Sequence, residues 1–274
     1  MSPEPGPDAS VPSNPLGFPR QWDDGTTCPT TDLQTWQYDA SPGSQTFIFR
    51  QSLCTNFEAP FLYLFVGTEK ALLVDTGTGD ANVRAAVDAT LAGHDVDLVV
   101  AHSHAHGDHV GGDAMFAGRS RTTVIGKTPA AVSTVFAITN MRGSIDLGGR
   151  VLDVIAIPGH EASHVAFYDR KTRLLLTGDT LYPGRLYVRD WAAYRASVAR
   201  LVAFVDDNHP VSHVLGAHIE LAKTGVEIPQ GAKTHPNEHV LELGETELRD
   251  LGDVIAGAAT PRRIERPGFV VFPL

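Results

Sequence analysis

The stretch His102-Ser103-His104-Ala105-His106-Gly107-Asp108-His109 places four histidines and an aspartate within eight residues. A hydrophobic core is not built from such residues. Imidazole and carboxylate are the groups that hold borderline divalent cations such as zinc. The run Val96 to Ala101 before it reads as a buried strand that delivers the histidines at its end. If the backbone stays extended as far as Gly107, side chains alternate and His104 and His106 share a face. Gly107 then lets the chain turn, so that Asp108 and His109 point elsewhere and can serve a second ion.

Each ion still lacks ligands, which must come from distant segments. Three candidates follow short, largely apolar runs: His160 after Val151 to Ile157, Asp179 after Leu174 to Leu176, and His218 after Val214 to Leu215. The end of a buried strand is where α/β proteins place their chemistry. A carboxylate such as Asp179 can bridge two cations, and a pair of ions roughly 3.5–4 Å apart is a recurring hydrolytic device. One ion lowers the pKa of a bound water to about 7, and the other steadies the negative charge that develops on the substrate. Such a site needs no serine nucleophile, and Gly143-Ser144 lacks the GxSxG frame.

These residues resemble the metallo-β-lactamase-fold superfamily. Its HxHxDH signature is matched at every fixed position by His104 to His109, and Asp75-Thr76-Gly77 resembles the turn that precedes it. The resemblance covers roughly residues 45 to 220. It implies a four-layer αββα sandwich of the α/β class, with residues 41–274 as the domain; residues 1–40, which begin with a stretch rich in Pro, Ser, Asp and Gly, read as a poorly ordered N-terminal arm. The resemblance also implies His104, His106 and His160 around a first metal, Asp108, His109 and His218 around a second, and Asp179 bridging them. Zinc is the expected metal, with iron or manganese as alternatives. Asp108 could double as a proton acceptor. Tyr182, three positions after Asp179, has the spacing of a tyrosine that points at the substrate carbonyl in lactone-hydrolysing members. His164 would orient the ligands, and His102 could hydrogen-bond near the metals. Arg185, Arg189 and Lys223 read as surface charges unless one meets a substrate carboxylate. Thr234 to His239 reads either as a cap over the site or as a helix start.

The resemblance therefore implies a binuclear hydrolase of a small ester, thioester or lactone. The alternatives are a β-lactamase, a mononuclear iron sulfur dioxygenase and a non-catalytic metal-binding module. The bridging Asp179 disfavours the first of these and the complete second set disfavours the second. Glyoxalase II-like thioester hydrolysis would need a glutathione-binding C-terminal extension, for which the tail shows no clear match.

The net charge of −10 and pI near 5.6 argue against nucleic-acid partners. No apolar run approaches a membrane span of roughly 20 residues. A small-molecule substrate is expected, and a homodimer is compatible. The start of the chain, rich in Pro, Ser, Asp and Gly, lacks the pattern of a signal peptide. A cytoplasmic location is expected, unless a leader has been removed. Cys28 and Cys54 read as ordinary thiols; a disulfide between them would instead imply export.

In outline, strands are expected at Phe47–Arg50, Phe61–Val66, Ala71–Val74, Val96–Ala101, Thr122–Ile125, Val151–Ile157, Val165–Tyr168, Arg173–Leu176 and Val211–Leu215, with a final edge strand at Phe269–Phe272. Helices are expected at Ala81–Leu91 with Asp80 as N-cap, at Val110–Phe116, at Trp191–Val205 and at Glu245–Ala256. Pro129–Asn140 has a helical pattern but many β-branched residues.

Overall fold

The computed structural model describes residues 16–28 and 32–274. In chain order the elements are β1 (Leu33–Asp39), β2 (Gln45–Gln51), β3 (Phe61–Val66), β4 (Lys70–Val74), α1 (Val83–Thr90), β5 (Asp97–Ala101), α2 (Gly107–Val110), β6 (Thr122–Val124), α3 (Pro129–Val135), β7 (Arg142–Asp146), β8 (Val151–Ala156), β9 (Val165–Asp169), β10 (Leu174–Gly178), β11 (Arg185–Val188), α4 (Trp191–Asp206), β12 (His213–Gly216), β13 (Glu242–Leu243), α5 (Glu245–Ala256), β14 (Ile264–Arg266) and β15 (Phe269–Pro273). One six-stranded sheet runs β1-β2-β3-β4-β5-β6 and the other β13-β12-β10-β9-β8-β7, with a small sheet β11-β15-β14.

Side-chain alternation explains the layering. β3 is apolar throughout because both of its faces are covered. Phe61, Tyr63 and Phe65 pack between the sheets, with Leu152, Val154 and Phe167 in the same core. Leu62, Leu64 and Val66 point the other way, into the core that holds Val83 and Val87 of α1. In the second sheet Ile155, Tyr168, Leu175 and Val214 turn outward onto Val198 and Leu201 of α4 and Leu248 and Leu251 of α5. The order is therefore helix, sheet, sheet, helices: the expected four-layer sandwich.

A buried ion pair ties the two sheets together. The Arg150 guanidinium reaches Asp169 at 2.7 Å and also donates to the carbonyls of Gln45 and Val66 and to Thr46 Oγ1. Both side chains are fully buried.

Several expectations change. The first sheet begins at Leu33, inside the stretch read as an arm, because β1 pairs antiparallel with β2; residues 1–15 of that arm lie outside the described residues. Cys28 and Cys54 are not free thiols but are joined in a disulfide. Asn82, not Asp80, caps α1 by accepting from Ala85 N. Pro129–Asn140 splits into α3, with Thr128 as N-cap and proline in its first turn, and a turn that follows. β15 is not an edge strand, since β11 and β14 flank it on both sides. Thr234 to His239 starts no helix. Glu238 instead pairs with the buried Arg50 at 2.5 and 2.8 Å. No helix among the described residues is long and apolar enough to cross a membrane.

Candidate metal centre

Strand ends bring the predicted residues together. β4 and β5 run parallel with Val74 opposite Ala101, so Asp75 and the His102–His109 loop leave the sheet side by side. β10 and β12 also run parallel, with Gly178 opposite Gly216, so Asp179 and His218 emerge as neighbours. Gly178 adopts φ +49°, and a Cβ there would lie 2.6 Å from His164 Nε2 and 2.8 Å from Ser103 Cβ. A side chain at that position would therefore push apart the loops of the two sheets.

Two clusters result. His104, His106, His160 and Asp179 each offer one ligand atom, all within 4.8 Å of one another, and Asp108, His109 and His218 do likewise. His106 Nδ1 lies 2.9 Å from both His104 Nε2 and His160 Nε2. Asp108 Oδ2 lies 3.2 Å from His109 Nε2 and 3.3 Å from His218 Nε2. Tetrahedral zinc with bonds near 2.0–2.1 Å would set its ligand atoms roughly 3.3 Å apart. Asp179 divides its oxygens: Oδ2 lies 3.4 Å from His160 Nε2, while Oδ1 lies 3.5 and 3.6 Å from His218 and His109.

The outward ring nitrogens are also accounted for. His160 Nδ1 lies 2.7 Å from the Tyr187 carbonyl, His218 Nδ1 2.9 Å from the Glu58 carbonyl, and His109 Nδ1 2.9 Å from Asp75 Oδ2. With Nδ1 donating outward, Nε2 is the atom that each of these rings turns to the cluster, where a metal would take it as ligand. His109 Nε2 and Asp179 Oδ1 are buried with no hydrogen-bond partner. Orphaned buried polar atoms are costly, and a cation between them would satisfy both, so the residues fit a metal.

The electrostatics agree. Burial and the surrounding imidazoles hold His104 well below the ordinary histidine value. Burial alone would depress His218 too, but the Asp179 and Asp108 carboxylates outweigh it and push the imidazole up to about 10. His109 is likewise raised by Asp108, Asp179 and Asp75 against its burial.

Other expected site residues sit differently. The Tyr182 hydroxyl is buried against the Arg185 carbonyl and lies 3.0 Å from Glu220 Oε2. Its one proton is thus engaged, and the edge-to-face contact of its ring with His218 is what it gives the site; the carbonyl-polarising role expected of it does not match this orientation. His102 turns to Asp113 Oδ1 at 2.7 Å rather than to the clusters. The His164 ring packs 4.7 Å from that of His104. Arg185 is consumed by Glu220, Tyr187 and the Ile228 carbonyl. Lys223 lines a shallow depression with Arg20 and Trp22, apart from the clusters. His235 and Glu58 border a cleft of about 70 Å³ beside His218. Arg189 borders a larger one of about 640 Å³ beside His106 and His160.

Fold and clusters together define an α/β protein built around a site that can bind metal. The chain belongs to the metallo-beta-lactamase superfamily, whose sequence model matches residues 56–218, more than half of the chain. It is 32% identical over 149 residues to a hydroxyacylglutathione hydrolase of Chromohalobacter salexigens, covering 53% of this chain and 56% of that protein. It is 35% identical over 111 residues to one of Rhizobium meliloti, covering 38% and 43%. The chain thus spans about half the length of these curated relatives. Among solved structures it is similar to a metallo-beta-lactamase from Pontibacter korlensis, with TM-score 0.55, 16% identity, and 82% of this chain and 100% of that one covered. It is also similar to an archaeal metallo-beta-lactamase superfamily protein from Sulfolobus tokodaii, with TM-score 0.50, 14% identity and coverage of 87% and 91%. These likenesses show the fold.

Proposed function

We propose that this chain is a hydrolase of a small ester, thioester or lactone that works with two divalent ions, zinc in the first place. The observation that carries the reading is the division of the Asp179 oxygens between the two clusters. His104, His106 and His160 would hold one ion and Asp108, His109 and His218 the other, with Asp179 shared. When bound, the ions supply Lewis acidity that acidifies a water and polarises the substrate carbonyl.

The chain's own residues supply orientation and charge. Asp75 and the carbonyls of Tyr187 and Glu58 accept from Nδ1 of three imidazoles and would hold them with Nε2 toward the ions. Asp108 keeps a side chain 22% exposed while Oδ2 faces the second cluster; against its burial, the His109 and His218 imidazoles hold its carboxyl well below the usual carboxylate range, which suits a charged ligand better than a proton acceptor. Among the substrate classes a thioester is favoured, because the curated relatives carry the name hydroxyacylglutathione hydrolase. The case for a lactone leaned on Tyr182, whose hydroxyl is occupied elsewhere. The disulfide supports an oxidising compartment over the cytoplasm.

The test is a panel of thioesters, esters and lactones run on protein of measured metal content. Hydrolysis of a thioester that tracks metal occupancy supports the reading. No hydrolysis across the panel by fully loaded protein removes it.

A further inference from the structure

Three of the candidate ligands lean outward on an acceptor, and the three acceptors are held unequally. His109 leans on Asp75, which accepts from both the backbone and the hydroxyl of Ser103. His160 leans on the Tyr187 carbonyl, inside β11. His218 leans on the Glu58 carbonyl, in the irregular stretch 52–60 between β2 and β3. That stretch bonds mostly to itself. Thr55 N and Asn56 N donate to the Ser52 carbonyl at 3.0 and 3.1 Å, and Glu58 N donates to Asn56 Oδ1 at 3.0 Å. Asn56 Nδ2 reaches out to Asp80, but at the surface. Ala59, the residue after Glu58, sits at φ +38°, a region that a Cβ disfavours and that persists only where the surroundings enforce it.

Leu53 anchors the start of the stretch by full burial. Past it, the covalent tether is the disulfide from Cys54 to Cys28. Cys28 belongs to residues 16–28, which are firmly seated although they form neither helix nor strand. Trp22 is buried, with its ring edge-on to Phe61 at 5.0 Å. The Asp24 carbonyl accepts from His235 N at 2.7 Å. Gly25 sits at φ +74°, and a Cβ there would lie 2.1 Å from the Lys233 carbonyl oxygen and 3.0 Å from Leu53 Cβ. The disulfide thus ties the stretch that carries Glu58 to a segment packed against the rest of the chain. Cys28 is exposed and Cys54 half-buried, so reagents in solution can reach the bond.

We propose that the Cys28–Cys54 disulfide is a positioning element of the second metal site. By holding the stretch that carries the Glu58 carbonyl, it keeps His218 Nε2 turned toward Asp108. The chain takes two ions while the bond is closed, and once it is open only the ion among His104, His106 and His160 is held tightly. The inference rests on the two-ion part of the hydrolase reading. The effect is selective because the acceptors of His109 and His160 lie outside residues 52–60. Opening the bond takes two electrons and two protons, which two molecules of a small thiol supply as they leave joined in a disulfide of their own.

The test reads metal rather than turnover. Oxidised wild type and Cys28→Ser/Cys54→Ser, which carries no thiol that could bind zinc, are freed of metal and titrated with zinc against a chromophoric chelator. Wild type should take up two ions. The variant should keep one at wild-type affinity and bind the other about 10–100-fold more weakly. Cobalt(II) shows which site is affected. At a concentration that saturates wild type, the visible spectrum of the variant should match that of His218→Ala, and a wild-type spectrum would overturn the proposal. A second route starts from folded, zinc-loaded wild type. A phosphine opens the bond, taking oxygen from water to become its oxide while both sulfurs leave as thiols, and iodoacetamide caps them. The desalted protein should keep one zinc per chain, against two in a sample given iodoacetamide alone. Two ions held at wild-type affinity by both thiol-free forms overturn the proposal and leave the two-ion reading standing. Loss of both ions together, with or without the fold, overturns it too, since the bond would then support the whole chain rather than one site. Oxidised wild type that stops at one ion sinks the two-ion reading and this proposal with it.

Discussion

His109 and Asp75 form a buried pair, with Nδ1 of the imidazole 2.9 Å from Oδ2 of the carboxylate. The same carboxylate accepts from Ser103 N at 2.7 Å and Ser103 Oγ at 2.9 Å. Asp75 thereby clamps the loop that carries the histidines and turns His109 Nε2 toward Asp108 and Asp179. It does so at φ +70°, a conformation that aspartate and asparagine tolerate better than most residues.

Replacing Asp75 by Asn keeps the backbone conformation and removes the charge. Affinity for the metal nearest His109 should fall about 10–100-fold with the fold intact. Zinc titration of the variant checks this, with circular dichroism as the control. An unchanged affinity would mean that the pair plays no part in holding a metal.

Tyr182→Phe separates a packing role from a carbonyl-polarising one. With its proton engaged by the Arg185 carbonyl and Glu220, loss of the hydroxyl should cost about 1 kcal/mol of stability. Turnover should change by less than about threefold, whereas loss of an oxyanion donor costs on the order of 10²–10³. Steady-state kinetics beside a denaturant titration give both numbers.

Metal uptake should release protons and weaken in acid. His218, pushed up to about 10, is charged at neutral pH without metal, and His109 is shifted in the same direction by Asp108, Asp179 and Asp75 against its burial. An imidazole must lose its proton to become a ligand, so uptake at pH 7 should release at least the proton of His218. Titrations in buffers of different ionisation enthalpy count the protons released. No buffer dependence would remove His218 from the ligand set.

Acid stability should depend on the Arg150–Asp169 pair. Burial alone would raise the Asp169 carboxyl, but Arg150 outweighs it and holds the group below its ordinary value. A depressed pKa contributes stability that is present above the unfolded value of about 3.9 and lost as pH falls through the folded one. Asp169→Asn leaves the buried guanidinium unpaired and should cost about 3–5 kcal/mol at pH 7. It should also reduce the steepness of unfolding below about pH 4. Urea titrations at pH 7 and in acid measure both effects.

Much of the site was legible because its candidate ligands are side chains of rare type at strand ends. His104, His106, Asp108, His109, His160, Asp179 and His218 all converge as their positions suggested. What orients them was hidden. His160 and His218 lean on the carbonyls of Tyr187 and Glu58, and no residue type announces a backbone acceptor. Asp75 was visible as a turn after an apolar run, but its contact with His109 depends on β4 and β5 being parallel neighbours. Tyr182 misled because spacing says nothing of where a hydroxyl points. In the fold, long apolar strands such as β3 and β8 declared themselves. β1 (LQTWQYD) and β7 (RGSID) did not, being partly polar strands at the outer ends of their sheets whose pairing is set by neighbours. The disulfide was equally out of reach, since the separation of 26 residues between Cys28 and Cys54 carries no signature of its own.

The central claim is that two adjoining clusters share Asp179 and together hold a pair of ions. Elemental analysis of protein reconstituted with zinc and freed of excess tests it directly, with Asp179→Ala alongside. The account predicts two zinc ions per wild-type chain, at least one of them lost in the variant. Wild-type protein that retains none, or a variant that retains both, would contradict it.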